Sequence, residues 1–140
     1  MANALNRHEK LPPHAFTAAI VRRDAFGPRR AFRAVVAEVG DRIVGYASFL
    51  PGYNTDIAQP ELWLLDLFVE ASWRSRGIGR ALVVAVARET VRRGYRCLEW
   101  GVRADNHRAK KFYRSLGARV GNARVASLIG RPLAALAAQR

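Results

Sequence analysis

A single cysteine, Cys97, stands in this chain of 140 residues. That excludes an internal disulfide and any cysteine-based metal cluster. Cys97 lies in a strand-like run, where a small core thiol is a plainer reading than a nucleophile. Acidic residues are scarce as well: 11 Asp and Glu face 24 Lys and Arg, a formal net charge of +13. Such an excess suits steering toward anionic phosphates and is also the footprint of a nucleic-acid binder. The arginines are dispersed, however, and no dense basic arm appears, so most of the excess reads as a solvated surface. Long apolar runs are missing too. The longest, Ala81–Ala87, falls far short of the ~20 residues that span a bilayer. No N-terminal segment shows the charged, apolar and cleavage regions of a signal peptide. The expectation is a soluble cytoplasmic protein without membrane contact.

Half of the residues are hydrophobic, enough for one real core, and the length suits a single domain over residues 1–140. Leu5 to Lys10 reads as a helix end stopped before Pro12-Pro13. A helix follows from about Pro13 to Arg23, ended by Gly27-Pro28. Phe32 to Val39 and Arg42 to Leu50 read as strands joined by a tight Gly40-Asp41 turn. Pro51 to Pro60 reads as a loop rich in turn residues, and Glu61 to Val69 as a strand. A helix then runs to about Arg93, with Gly94 as its stop. Arg96 to Val102 reads as a strand, Asn106 to Leu116 as a helix, Ala118 to Ile129 as one or two short strands, and Pro132 opens a terminal helix. Alternating strands and helices give an α/β domain with a mixed sheet.

The most informative stretch joins the strand ending at Val69 to the helix opening at Ile78. Its turn carries Gly77 and Gly79 among Arg74, Arg76 and Arg80. Glycine lets backbone approach a ligand closely. A helix start offers unpaired N–H groups and partial positive charge, a ready site for a phosphate or pyrophosphate. The P-loop does not fit, because Arg80-Ala81 follows Gly79 where Lys-Ser/Thr is needed; the dinucleotide fingerprint does not fit, because only two glycines are present.

The arrangement Arg74-Ser75-Arg76-Gly77-Ile78-Gly79 instead resembles the pyrophosphate loop of the GNAT superfamily of N-acetyltransferases, which binds acetyl-CoA. A second match follows in order. Asn106, Ala109, Phe112, Tyr113, Leu116, Gly117 and Ala118 resemble the GNAT pattern Asn-x-x-Ala-x-x-Phe-Tyr-x-x-Leu-Gly-Ala. Its local physics agrees: Asn106 can cap a helix, its apolar residues share one face, and Gly117 suits a left-handed stop. The run Leu64 to Val69, with Val35-Ala37-Glu38 and Ile43 to Ala47 upstream, resembles the diamine (spermidine/spermine) acetyltransferase branch. The resemblance implies a GNAT-type acyl-CoA N-acyltransferase fold: a mixed central sheet flanked by helices, with the strands ending at Val69 and Val102 parallel and splayed. The chain begins too late for the family's first strand: the expectation is an N-terminally shortened fold, with either a start placed late or a fold that lacks that strand, and a strand edge left bare would need cover. A homodimer is a further expectation from the family.

For function, the resemblance implies acetyl transfer from acetyl-CoA to a primary amine of a small molecule, polyamine- or amino-acid-like, with no metal. Arg74, Ser75, Arg76, Gly77, Ile78, Gly79 and Arg80 would hold the pyrophosphate. The backbone of Leu67, Phe68 and Val69 would meet the pantetheine, and Asn106 and Tyr113 the thiol end, with Tyr113 as general acid. The base is less plain, because Leu65 stands where the diamine branch carries glutamate. Asp66 survives beside it, and Glu61 or Asp105 could act through water. Strand alternation points neighbours to opposite faces, so Asp66 does not simply replace a carboxylate at 65. Ser75 and Asp105 are smaller departures, standing where the family often has Gly and the diamine branch Trp. Leu65 and the missing strand also suit a non-catalytic acyl-CoA-binding GNAT remnant. Charge alone supports a third reading, a basic nucleic-acid-binding domain.

Overall fold

The computed structural model describes residues 16–122 and 131–138. It forms two compact units, Met1–Trp100 and Gly101–Arg140. In the first, Thr17 caps the short helix α1 (Ala18–Val21) by accepting from the Ile20 N–H. The chain continues through a π-helical turn, Arg22–Phe26, to Gly27. Strands β1 (Arg33–Val39), β2 (Arg42–Asn54) and β3 (Gln59–Val69) follow, then a 3-10 turn, Ala71–Trp73, helix α2 (Ile78–Arg92) and strand β4 (Cys97–Trp100). The sheet order is β1-β2-β3-β4. The first two pairings are antiparallel and the β3–β4 pairing is parallel, so the sheet is mixed as expected. Helix α2 covers one face. Ala47, Phe49, Leu62 and Leu64 of the sheet close with Leu82 and Val86 of α2 into the core.

Several elements depart from their sequence reading. The helix expected from about Pro13 to Arg23 is, in the described residues, non-helical at Phe16 and Thr17, helical only from Ala18, and continued by the π-helical turn through Phe26 to Gly27, because Thr17 caps it late. The loop expected over Pro51 to Pro60 is largely strand, because β2 pairs with β3 from Pro51↔Leu62 to Asn54↔Gln59. The connection shrinks to four residues. Asn54 Oδ1 closes it by accepting from the Asp56 and Ile57 N–H groups, and Ala58 takes a left-handed φ of 51°. Strand β4 is shorter than the expected Arg96 to Val102. Helix α2 stops where Gly94 was expected to stop it. Gly94 has φ 75°, and the bonds Tyr95 N–H to Thr90 O and Gly94 N–H to Val91 O form a Schellman motif.

In the second unit, helix α3 (His107–Ser115) is capped by Asn106, whose Oδ1 accepts from the Ala109 N–H at 3.0 Å. It ends in the same motif at Gly117, with φ 88° and the bonds Ala118 N–H to Tyr113 O and Gly117 N–H to Arg114 O. Helix α4 (Arg131–Ala137) includes Pro132 in its first turn. The strands expected over Ala118 to Ile129 do not appear through residue 122; the rest of that stretch and the expected helix end at Leu5 to Lys10 lie outside the described residues.

Candidate active site

Strand β3 carries the site because it outruns its parallel neighbour. Pairing with β4 covers only Glu61–Leu64 against Cys97–Trp100. At that point β3 also holds an extra residue: Ser48 pairs with Asp66 and Phe49 with Leu64, so Leu65 has no partner on β2. This is a β-bulge, which bends a strand and re-aims its side chains. Leu65 itself is 44% exposed. Beyond the bulge, Glu70 N–H donates to Val44 O, facing β2. Alternation therefore turns the backbone groups of Phe68 toward β2 and those of Leu67 and Val69 away from it. Of the three backbone positions expected to meet pantetheine, Leu67 and Val69 have the suitable orientation.

The loop after β3 is built by left-handed residues. Ser75 has φ 62° and Gly77 φ 80°. A Cβ at Gly77 would meet nothing within 4 Å, so its surroundings are open. No side chain caps α2, and its first turn is closed by the bond from Ala81 N–H to Gly77 O. The N–H groups of Ile78 and Gly79 thus remain for an anion. The arginines divide in role. Arg74 Nε donates to Val69 O at 2.9 Å and its guanidinium lies 6.0 Å from the Phe68 ring centre, tying the loop to the strand end. Arg76 stacks on Trp73 at 4.9 Å. Uncapped helix N–H groups, glycine at the approach and cationic side chains together fit a pyrophosphate.

Carboxylates line the sheet face opposite α2. Asp66 Oδ2 accepts from Ser48 Oγ at 3.0 Å and Tyr46 Oη at 3.3 Å. Further along, Glu61, Cys97 and Glu99 bring their ligating atoms within 4.8 Å of one another. Asn54 Nδ2 donates to Glu61 at 3.3 Å and Glu99 at 3.1 Å, and contacts Cys97 Sγ at 3.8 Å. Burial and the neighbouring Glu61 carboxylate raise the Glu99 pKa. Burial first, then Glu61, raises that of the Cys97 thiol, which keeps it protonated and poorly nucleophilic. The parallel pairing of β3 and β4 assembles this group from positions far apart in sequence, so sequence periodicity alone could not find it. Glu61 is only 6% exposed. Asp105, the other alternative base, is exposed and held by Arg103 at 3.1 Å. In the second unit, Tyr113 is the buried residue of α3, its ring 5.3 Å from that of Phe112.

The sequence profile of the acetyltransferase (GNAT) family matches residues 3–118. Among curated proteins, the chain is 33% identical over 78 residues to L-ornithine N5-acetyltransferase NATA1 of Arabidopsis thaliana, covering 56% of this chain and 34% of that one. It is 30% identical over 106 residues to thialysine N-epsilon-acetyltransferase of Bos taurus, covering 70% of this chain and 62% of that one. The chain thus spans between a third and two thirds of the length of these relatives. Its fold is shared with an integron cassette protein from the mobile metagenome of V. cholerae, at a TM-score of 0.82 and 23% identity, over 98% of this chain and 87% of that one. The family match spans most of the sequence, from before the first described residue to the Gly117 stop: the chain belongs to the acetyltransferase (GNAT) family.

Proposed function

We propose that this chain is an acetyl-CoA-dependent N-acetyltransferase acting on a primary amine of a small molecule, polyamine- or amino-acid-like. The observation that carries the reading is the loop from Arg74 to Arg80, with its open glycine and uncapped helix start at the end of a strand that outruns its neighbour. Family membership and relatives named for acting on ornithine and thialysine support it. The carboxylates of Asp66, Glu61 and Glu99 also suit a cationic acceptor: they supply local negative charge in a protein of net charge +13.

The acceptor must first lose a proton, because an ammonium has no lone pair. An alkyl amine with a pKa of ~10.4 is neutral less than about 0.1% of the time at pH 7. Asp66 takes the role of the carboxylate that receives this proton, directly or through water. The amine nitrogen then attacks the thioester carbon, and charge builds on its oxygen. The outward N–H of Leu67 or Val69 is the donor for that oxygen. As the intermediate collapses, the C–N bond is kept and the C–S bond breaks. Tyr113 supplies a proton to the leaving sulfur. One of the two protons released by the ammonium ends on the CoA thiol after exchange through Tyr113, and the other goes to solvent.

The test is release of free CoA from acetyl-CoA in the presence of ornithine, thialysine, polyamines and aminoglycosides. Turnover with an amine, reduced about tenfold or more in Tyr113→Phe with the acetyl-CoA KM nearly unchanged, is the expected result. Acetyl-CoA binding without turnover on any amine would contradict the catalytic reading and favour an acyl-CoA-binding remnant.

A further inference from the structure

Asp66 carries an asymmetry that the acid-base scheme leaves unused. Both of its hydrogen bonds fall on one oxygen, Oδ2, from Ser48 Oγ at 3.0 Å and Tyr46 Oη at 3.3 Å. Among the described residues nothing donates to Oδ1. Ser48 is 3% exposed and lies directly opposite Asp66 in the β2–β3 register, at the last pair before the bulge. Directly opposed residues hold their Cβ atoms only about 4.5–5.5 Å apart, so its short hydroxyl reaches the carboxylate without spanning a gap. A buried hydroxyl is costly unless bonded, and the carboxylate is the partner of this one.

We infer that Ser48 and Tyr46 are positioning residues for the transfer reaction: they pin Oδ2 of Asp66 and leave Oδ1 as the oxygen offered to the acceptor amine. The inference rests on the reading of Asp66 given above. The bulge at Leu65 disrupts the simple alternation of side chains on β3. A carboxylate beside such a bend needs a local tether to hold one rotamer, and two donors on a single oxygen supply it. The arrangement also gives a physical reason for a hydroxyl at position 48, which the packing of the neighbouring core residues Ala47 and Phe49 does not require. No proton moves to or from Ser48 in this scheme. It donates to Oδ2 throughout, while Oδ1 accepts the proton from the ammonium and passes it to solvent.

The experiment is a double-mutant cycle on the full chain, read as kcat/KM for the acceptor amine, ornithine or thialysine, at saturating acetyl-CoA. Ser48→Ala is expected to lower kcat/KM about tenfold, and Tyr46→Phe, whose bond is longer, about threefold. Ser48→Thr, which keeps the hydroxyl, restores most of the activity. In the Asp66→Asn background, Ser48→Ala costs less than a further twofold, because its effect acts through the carboxylate. An equal loss in both backgrounds would show a merely structural role and overturn the inference. Wild-type activity in Ser48→Ala, beside an Asp66→Asn variant of strongly reduced but measurable activity, would also overturn it while sparing the role of Asp66. Full activity in Asp66→Asn, or no turnover by the wild type, would overturn the underlying reading instead. If Ser48→Ala fails to fold, the cycle is run with Tyr46→Phe against Asp66→Asn, under the same criteria.

Discussion

Gly45→Ala should damage the fold and the cosubstrate site together. Gly45 sits on the interior strand β2, paired with Ala37 of β1 and with Val69 at the end of β3. A Cβ there would lie 2.8 Å from the Phe68 carbonyl oxygen, 3.2 Å from Leu82 Cδ1 and 3.4 Å from Val69 Cγ2. The nearest atom is backbone, so relief requires β2 and β3 to separate. Overpacking of this kind costs about 1–3 kcal/mol, offset by roughly 0.4–1 kcal/mol because alanine has less freedom to lose from the unfolded chain. The expected net loss is about 1–2 kcal/mol, or roughly 3–10 °C in Tm for a chain of this size. The displaced atoms belong to Phe68 and Val69, so acetyl-CoA affinity should fall as well. Gly40→Ala is the control. Gly40 has φ 57° and nothing within 4 Å of a Cβ, so alanine there pays only a left-handed backbone cost of roughly 1–2 kcal/mol. It should lower Tm without changing acetyl-CoA affinity. Thermal melts and calorimetric titrations of both variants decide the matter. A Gly45→Ala protein as stable as wild type, or one with lowered Tm and unchanged affinity, would refute the reasoning.

Glu89 bridges Arg92 at 2.7 Å and Arg93 at 2.8 Å on α2. Hydrogen bonds from Arg92, then Arg93, lower its pKa from 4.5 to about 2. A carboxylate depressed in the folded state contributes stability above its unfolded pKa and loses it as pH falls through the folded value. Glu89→Gln should therefore flatten the stability loss between pH 4.5 and about 2, by on the order of 1 kcal/mol once solvent screening of a surface pair is allowed for; acid titration of the denaturation midpoint checks this. The raised pKa of Cys97 predicts slow reaction with a thiol reagent at pH 7 in the folded protein and rapid reaction after denaturant is added. Fast labelling of the native state would contradict the placement of that thiol.

Much of the fold was legible in the sequence because local chemistry and periodicity agreed. Gly94 and Gly117 both stop helices as left-handed residues, and Asn106 caps α3. The Gly40-Asp41 turn and the loop from Arg74 to Arg80 lie where they were expected. The misread segment, Pro51 to Asn54, carries turn residues on a strand: its pairing with β3 outweighs their composition. The bulge was not legible, because Leu64 and Leu65 are both leucine and nothing local marks one of them as extra. It matters most for the base, since the simple alternation argument at positions 65 and 66 fails across an inserted residue. The partners of Asp66 and the grouping of Glu61, Cys97 and Glu99 are products of cross-strand register. Pattern along one strand does not contain that information. Arg74 was expected on the pyrophosphate. Its Nε also donates to Val69 O, a contact visible only once the turn is folded.

Binding of acetyl-CoA by the loop from Arg74 to Arg80 is decided by calorimetric titration of acetyl-CoA into wild type and Gly77→Trp. The tryptophan would fill the open space beside Gly77 and block approach to the helix start. Wild type should bind at one site, and the variant, still melting cooperatively, should bind at least about tenfold more weakly, roughly 1.4 kcal/mol. No binding by wild type, or unaltered binding by the folded variant, would contradict it.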